Sequence, residues 1–479
     1  MTREELLEIL DQIQAGRCET RTLELKAAKQ DCPKRLYDTL SGFSNQTEGG
    51  IIIFGVDEND DFRECGVYDP QDLQKKIGEQ CLQMEPVLRP VLTVAEKDGR
   101  YFVAAEIPGL DIADRPCFYR GKGRLQGAYV RVGDSDEPMT EYEVYSYEAF
   151  RKKYQDEARP VERASWTAVD DVLFRDYLDR LKRSKPNLSA LSDEEICELL
   201  NLTRGGELTL GAIMLFGRYP QAFFPQLCIT AVAVPGTEVG DLGECGERFL
   251  DNRRLEGNIP AMLEQALDFL GRNMRTKTII SAESGRREDR QDYPPIALRE
   301  LVLNALVHRD YSVHTEGIPI QICLFRDRLE IRSPGGIYGR LQVSQLGRVQ
   351  PSTRNPLLAT ALEVLGLTEN RYSGIPAARR AMADYGLPEP VFSDVRGNFT
   401  VVLYGGKQGV QTDELSDREK ELLAFLRVPR SRREIVEFLG LSSSVYALQT
   451  YINPLMEKGL VRMTLPDKPR SRKQRFVRV

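Results

Sequence analysis

Glu300 and Asn304 are two polar residues whose types and spacing could bind a metal ion. They lie in the stretch RELVLNALVHRDYS, residues 299–312, where leucine and valine recur at helical spacing. Two residues that are four positions apart lie one turn apart on the same face of a helix. A carboxylate and an amide presented together suit a hydrated Mg²⁺ ion, which binds through oxygen atoms and keeps several of its waters. The alternative interpretation is an ordinary solvated helix face.

Around this helix, the sequence predicts an α+β protein of several domains. A chain of 479 residues is too long for one hydrophobic core. Residues 1–150 combine a helix with strand patterns such as TLELKAA and GGIIIFGVDEND. A connecting region, 160–283, contains the strand-like TLGAIMLFG and LCITAVAVPG. We expect it to pack against the third domain, 284–408, which contains the helix described above. Residues 416–479 form the fourth predicted domain.

Composition and the lengths of apolar runs exclude several classes of protein. The hydrophobic share of 41% and the charged share of 29% are typical of globular domains, and the net charge of −6 requires any DNA-binding surface to be local. The first helix lacks the apolar core of a signal peptide, and no apolar run is long enough to span a bilayer, so we expect a cytoplasmic protein without a membrane partner. The nine cysteines form no CxxC pair, and no GxxxxGK[ST] motif occurs, which argues against a zinc ribbon and a P-loop motor.

The C-terminal segment has the order of a winged helix-turn-helix. Three short helical stretches precede a predicted β-hairpin, and from residue 416 onwards fourteen Lys and Arg residues stand against seven Asp and Glu residues. The third stretch, SSSVYALQTYINPLMEKGL, would be the recognition helix, and the hairpin would be the wing. Candidate DNA contacts are Tyr446, Gln449, Thr450 and Asn453 on the helix, and Arg470, Arg472, Lys473 and Arg475 on the wing. Protein contacts through the same fold are the alternative interpretation.

Four blocks between residues 285 and 405 resemble a family of bacterial regulators with a divergent GHKL-type ATP-binding domain. They are YPPIALRELVLNALVHRDYS, DRLEIRSPGGIYG, RNPLLATALEVLGL and RYSGIPAARRAM. The resemblance implies a GHKL-like α/β sandwich that binds ATP and Mg²⁺ and that could be a weak ATPase. In it, Glu300 would orient the attacking water and Asn304 would hold Mg²⁺. The further nucleotide-binding positions that it implies are Ser333, Gly335, Gly336 and Gly374, with Ser333 in place of the adenine-reading aspartate.

The N-terminal segment, over about residues 10 to 140, is similar to the Schlafen AlbA-like domain, an α/β domain. The similarity is carried by ETRTLELKAA, TLSGFSNQTEGGIIIFGVDEND and YVRVGDS. In Schlafen relatives that cut RNA, two glutamates five residues apart and a later aspartate hold a divalent metal. Glu19, Glu24 and Asp57 match that pattern here, and three converging carboxylates could activate a water for attack on a phosphodiester.

Strand geometry limits this triad. Residues five apart on a regular strand point to opposite faces, so Glu19 would have to lie in the loop before the strand that carries Glu24. A Glu24–Lys26 pair on a solvated strand is the simpler alternative. Arg131, on the predicted strand YVRVG, is a candidate phosphate contact under either interpretation.

Three functions follow from these observations. The first is a nucleotide-responsive, DNA-binding transcriptional regulator, which could act as a homodimer because paired half-sites match a two-fold protein. The second is a Schlafen-like metal-dependent nuclease that the ATP-binding domain would gate. The third is a scaffold protein in which both sites are degenerate.

Overall fold

The computed structural model describes two compact units, Met1–Tyr404 and Gly405–Val479. The residues that it describes are 1–16, 19–280, 287–368, 373–405, 422–423, 425–426, 428, 430–439, 448–452, 455–456, 461–464 and 474–478. Among them, no helix combines the length and the apolar character that a membrane-spanning segment needs. The chain is a mixed α/β protein of several domains.

The first part of unit Met1–Tyr404 alternates short helices and strands. Its helices are α1 (Arg3–Gly16), α2 (Tyr37–Ser44), α3 (Pro70–Cys81), α4 (Gly123–Gly127) and α5 (Glu141–Lys152). Its strands are β1 (Leu23–Lys26), β2 (Gly50–Phe54), β3 (Val56–Asp57), β4 (Arg63–Glu64), β5 (Met84–Glu85), β6 (Val91–Lys97), β7 (Arg100–Ile107), β8 (Phe118–Tyr119), β9 (Tyr129–Val132) and β10 (Ser135–Pro138).

A four-stranded sheet of order β1-β2-β7-β6 organises this part. β1 and β2 are parallel, and the other neighbours are antiparallel. Successive side chains of a strand point to opposite faces. Ile52 and Val103 therefore face a core with α2 and α3, whereas Ile53 and Ala104 face a second core with α1. Both faces of the sheet are covered, which explains the continuous apolar run in GGIIIFG.

The second part of the same unit builds a larger sheet. Its helices are α6 (Asp171–Ser184), α7 (Asp193–Leu199), α8 (Leu210–Phe216), α9 (Ile259–Asn273), α10 (Pro295–His308), α11 (Pro356–Val364) and α12 (Gly374–Asp384). Its strands are β11 (Thr203–Arg204), β12 (Glu207–Leu208), β13 (Ile229–Ala233), β14 (Asp251–Leu255), β15 (Thr276–Ile280), β16 (Arg287–Gln291), β17 (Ile320–Leu324), β18 (Arg328–Pro334), β19 (Val391–Val395) and β20 (Asn398–Tyr404).

The six-stranded sheet has the order β14-β13-β17-β18-β20-β19. Only β13 and β17 run parallel, and the remaining pairs are antiparallel. β13 and β14 come from residues before 283 and the other four strands from residues after it, so one sheet unites both segments. Helices α8, α9 and α10 share one continuous hydrophobic core with this sheet.

One local prediction in this part is wrong. TLGAIMLFG, interpreted above as a strand, contains helix α8. Every residue of α8 is buried, and a short, wholly apolar run has no periodicity that separates a helix from a buried strand. Thr209 fixes the start of the helix, because its hydroxyl accepts a hydrogen bond from the Ala212 N–H at 3.3 Å.

The unit Gly405–Val479 contains, among its described residues, a helix and a small antiparallel sheet. These elements are α13 (Arg432–Phe438), a π-helical turn over Leu448–Ile452, and the strands β21 (Arg430–Ser431), β22 (Val461–Met463) and β23 (Arg475–Arg478). The strand order is β21-β23-β22. Ile435, Ile452 and Phe476 belong to its own hydrophobic core.

Candidate functional site

Helix α10 presents Glu300 and Asn304 together, as the sequence predicts. Eight other residues of α10 are buried, so the helix is fixed by the core, while these two side chains are only half-buried. They face Gly374, the first residue of α12. A Cβ atom at position 374 would lie 2.7 Å from Glu300 Oε2 and 3.5 Å from Asn304 Nδ2, so a larger residue there would displace the Glu300 carboxylate from its present position.

The polar atoms of this pair can reach a ligand. Glu300 forms an ion pair with Arg299 Nη1 at 3.1 Å and keeps 22% of its side chain exposed. Asn304 makes no hydrogen bond with any residue in the described part of the chain. A carboxylate also lies favourably at the N-terminus of α12, where the helix dipole is positive. This donor set, a carboxylate and a free amide, fits a Mg²⁺ ion that keeps most of its waters.

The predicted glycine turn lies elsewhere, around Asp310 and Arg354. Gly335 has a φ of +101°, and a Cβ there would collide with Arg354 Nη1 and lie 2.7 Å from Asp310 Cβ. A Cβ at Gly336 would lie 2.7 Å from the Asp394 carboxylate. Ser333 is buried, and its hydroxyl donates a hydrogen bond to the Ala305 carbonyl at 3.2 Å. In this conformation the Ser333 hydroxyl is engaged by α10 rather than open to an adenine.

Asp310 is the centre of a polar network that the sequence analysis missed. The side chain is buried, and its Oδ2 accepts a hydrogen bond from the Tyr142 hydroxyl at 2.8 Å and lies 3.2 Å from Arg354 Nη1. Oδ1 accepts from the Ser312 N–H at 2.7 Å. Burial acts to raise the pKa of Asp310, but Arg354 and the hydrogen bonds outweigh it and hold this pKa below its usual range. HRDY already contains Asp310, but no spacing rule links it to Tyr142, which precedes it by 168 residues.

In the N-terminal domain, Glu19 and Glu24 lie close together. Glu19 occupies the loop before β1, which is the position that strand geometry demanded, and its Oε1 accepts a hydrogen bond from the Leu25 N–H at 2.7 Å. Burial raises the pKa of Glu19 to about 7, the Leu25 N–H opposes this shift, and the charges of Glu24 and Glu58 add to it.

The third predicted ligand does not join this pair. Asp57 accepts a hydrogen bond from Lys29 Nζ at 2.6 Å and caps the following turn through the Asn59 N–H. Within the described ranges, no three carboxylate, cysteine or histidine side chains gather closely enough to hold a metal ion. The Glu19–Glu24–Asp57 triad is therefore not assembled as a metal site in this structure.

Arg131 is a buried structural residue and not a surface phosphate contact. Its side chain is 1% exposed and lies 2.7 Å from Glu24 Oε2 and 3.2 Å from Asp136 Oδ1. Glu24 also pairs with Lys26, but the strand is not solvated as the simpler interpretation expected, because Glu24 is buried. A phosphate contact by Arg131 would require it to leave these two carboxylates, of which its sequence pattern gave no sign.

Most of the predicted DNA contacts in the tail lie outside the described residues. The residues concerned are Tyr446, Asn453, Arg470, Arg472 and Lys473. The side chains of Gln449 and Thr450 also lie outside the described part of the chain. Arg475 lies on β23, with about half of its side chain exposed and its Nη1 3.7 Å from Glu434 Oε2.

Three segments of the chain match known protein families. Residues 19–140 match the family described as "Schlafen, AlbA_2". Residues 317–403 match an HATPase-like family described as "Putative ATP-dependent DNA helicase recG C-terminal". Residues 417–477 match the family described as "Filamentation induced by cAMP protein Fic-like, C-terminal domain". None of the curated proteins matches the chain.

Two solved structures are similar to parts or most of the chain. The DIP2311 protein from Corynebacterium diphtheriae is 19% identical over 93% of this chain and 92% of its own, with a TM-score of 0.39. The N-terminal domain of a "Putative ATP-dependent DNA Helicase RecG-related Protein" from Nitrosomonas europaea is 29% identical over 27% of this chain and 90% of its own, with a TM-score of 0.23.

Two of the family matches indicate which domains the chain carries. The chain carries a Schlafen AlbA_2 domain and, further along, a RecG-like C-terminal HATPase-like domain, which is consistent with an AlbA/RecG-related protein. Together these two domains indicate a nucleic-acid-related, ATP-binding protein.

Proposed function

We propose that this protein is a nucleotide-responsive, DNA-binding transcriptional regulator. The HATPase-like region would bind ATP with Mg²⁺, and residues 416–479 would form a winged helix that contacts DNA. The observation that carries the proposal is the direct connection between the AlbA_2 domain and the HATPase-like domain within one compact unit.

Polar contacts between described residues contribute to this connection. The Tyr142 hydroxyl donates a hydrogen bond to Asp310. Arg340 pairs with Asp111 through two nitrogens, at 2.8 and 2.9 Å. Arg396 pairs with Glu137 at 2.6 Å. Each contact joins an element near residues 110–143 to one beyond residue 309. A ligand that favours one arrangement of the HATPase-like region would therefore bias the AlbA_2 domain as well.

Within the proposed nucleotide site, Asn304 and Glu300 would hold the metal ion against the N-terminus of α12. When bound, Mg²⁺ would neutralise phosphate charge. Glu300 would orient a water molecule. Because the ion pair with Arg299 partly neutralises the Glu300 carboxylate, we expect slow rather than rapid hydrolysis. Ser333 would contribute only if its hydroxyl left the Ala305 carbonyl.

The C-terminal unit supplies the proposed DNA contact. Its fourteen basic and seven acidic residues from position 416 onwards give it a local excess of positive charge, which favours binding to phosphate. The described helix and antiparallel strands enclose a small core of their own, which is compatible with a winged helix. A homodimer would let two such units contact paired half-sites.

The test is the affinity of the full-length protein for duplex DNA with and without ATP and Mg²⁺, measured by fluorescence anisotropy. We expect ATP to change the dissociation constant of the wild type by about fivefold or more, the usual lower limit of allosteric coupling. Asn304→Ala should remove this response without removing DNA binding.

Replacing Arg470, Arg472 and Lys473 by alanine should weaken DNA binding, whereas the exposed Arg183→Ala should not. Equal DNA affinity with and without ATP in the wild type would reject the regulator proposal.

A Schlafen-like metal-dependent nuclease, gated by the ATP-binding domain, is the second candidate. The proximity of Glu19 and Glu24 favours it, whereas the engagement of Glu24 by Arg131 and of Asp57 by Lys29 counts against it. Its test is cleavage of single-stranded RNA with Mn²⁺. Cleavage that persists after Glu19→Ala and Glu24→Ala would remove this candidate.

A further inference from the structure

A cleft of about 380 Å³ lies between the end of helix α5 and the segment 338–356, in unit Met1–Tyr404. Neither Glu300, Asn304 nor Gly374 lines it, so it is separate from the proposed ATP site. Its volume falls at the lower end of the range found for small-molecule sites. Both family matches contribute to the walls, since Ala113 lies in the AlbA_2 match and the segment 338–356 in the HATPase-like match, while α5 directly follows the AlbA_2 match.

The rim of the cleft is cationic. Arg151 and Lys153 are exposed, and neither forms an ion pair with another residue in the described ranges. Arg340 also lines the cleft, although Asp111 partly neutralises it. None of the twelve lining residues is acidic. Such a set of charges favours an anion, because nothing in the lining offsets the exposed cations.

The floor contains a buried arginine with spare binding capacity. Arg354 is 7% exposed, and its Nη2 donates a hydrogen bond to the Gly336 carbonyl at 3.1 Å. Its Nη1 lies 3.2 Å from Asp310 Oδ2 without a hydrogen bond to any described residue. A buried donor that makes no hydrogen bond is costly, so a ligand oxygen that reached Nη1 would be stabilised.

Aromatic rings accompany these cations. Phe150 and Tyr338 meet edge to face, with ring centroids 5.3 Å apart, and the Arg354 guanidinium lies 5.4 Å from the Tyr338 centroid. Tyr154, at the mouth of the cleft, is 37% exposed. An exposed aromatic face next to cations can stack on a nucleobase, and this contact tolerates any base. Cations alone would bind any anion. Because the aromatic rings can stack on a planar group, the cleft favours an anion that carries one.

We propose that this cleft binds a nucleoside phosphate. Arg151, Lys153 and Arg354 would hold the phosphate, and Tyr154 would stack on the base. The proposal does not rest on the ATP site at Glu300 and Asn304. The ligand could be a free nucleotide or the phosphorylated end of a single strand, since both present the same chemical group.

The test is isothermal titration of the full-length protein with AMP, GMP, CMP and UMP, with inorganic phosphate, and with short 5′-phosphorylated single-stranded DNA. We expect at least one nucleotide to bind. The double variant Arg151→Ala/Lys153→Ala should weaken both nucleotide and phosphate binding by about tenfold or more, since the loss of even one charged hydrogen bond has about that effect. Tyr154→Ala should weaken nucleotide binding by about tenfold and leave phosphate binding unchanged. If the strand binds more tightly with its 5′-phosphate than without it, and the rim double variant removes this difference, the source is a strand end.

Two control variants separate this cleft from its surroundings. Arg183→Ala replaces an exposed cation that does not line the cleft, so this variant should bind like the wild type. Asn304→Ala should also leave nucleoside monophosphate binding unchanged, even if it abolishes ATP binding. The proposal is overturned if the wild type binds no nucleotide, if the rim double variant binds as well as the wild type, or if Tyr154→Ala changes nothing.

Discussion

Glu157 is a fully buried carboxyl group at the start of helix α11. Its two oxygens accept hydrogen bonds from the Leu357 N–H at 2.8 Å and the Leu358 N–H at 3.1 Å. Burial nevertheless raises the pKa of Glu157 to about 8, because the two N–H groups offset only part of the lost hydration. The native state therefore holds a proton on this residue more tightly than the unfolded chain does.

This raised pKa predicts a specific pH dependence of stability. The contribution of Glu157 is fully present below its unfolded pKa of about 4.5 and is lost as pH rises through its folded pKa of about 8, by up to about 5 kcal/mol. Urea unfolding of the wild type between about pH 5 and pH 9 should show a steeper loss of stability than that of Glu157→Gln, which cannot ionise. The exposed Glu162→Gln serves as the control and should follow the wild type. Parallel pH profiles for the wild type and Glu157→Gln would contradict the raised pKa.

At the scale of elements, the turn into strand β2 depends on a glycine. Gly49 has a φ of +69°, and a Cβ there would collide with the Ile107 carbonyl and lie 2.7 Å from the Gly109 nitrogen. Gly99, in the turn between β6 and β7, has a similar φ of +73° but nothing within 4 Å of its Cβ position. The two glycines have similar φ angles but differ in the space around them.

Replacing each glycine by alanine separates these two effects. Gly99→Ala should cost only the left-handed conformation, about 1–2 kcal/mol. Gly49→Ala should cost at least about 3 kcal/mol, because β2 and β7 must also move apart. Thermal and urea unfolding of both variants would measure the difference. Equal losses would mean that the β2 turn can relax around an added methyl group.

The pattern of apolar residues within each element decided whether the sequence could predict that element. Helix α10 was predictable because Glu300 and Asn304 interrupt its apolar pattern at one-turn spacing. Helix α8 was not, since its wholly apolar run carries no period. The burial of Arg131 depends on Glu24 and Asp136, which approach it through the folding of separate strands, and a local pattern cannot reveal such long-range neighbours.

In the whole molecule, the proposed regulation requires a working nucleotide site in the HATPase-like region. The family match covers residues 317–403, whereas Glu300 and Asn304 lie just before it, on a helix packed against the same sheet. Gly374 belongs to the matched segment and approaches both side chains. The family resemblance of the sequence blocks already implied that Glu300, Asn304 and Gly374 belong to one site. It could not predict the hydrogen bond from the Ser333 hydroxyl to the Ala305 carbonyl, because that bond depends on how α10 packs on β18.

The most direct measurement is calorimetric titration of the full-length protein with ATP and Mg²⁺, comparing the wild type with Asn304→Ala and Glu300→Gln. Ile296→Ala, at an exposed position of the same helix, is the matched control. We predict binding by the wild type and by the control, with a loss of about tenfold or more in Asn304→Ala, because this variant removes one oxygen contact to the metal ion. Glu300→Gln should retain nucleotide with reduced affinity, since its amide oxygen remains. Absence of ATP binding by the wild type, or equal binding by Asn304→Ala, would contradict the account.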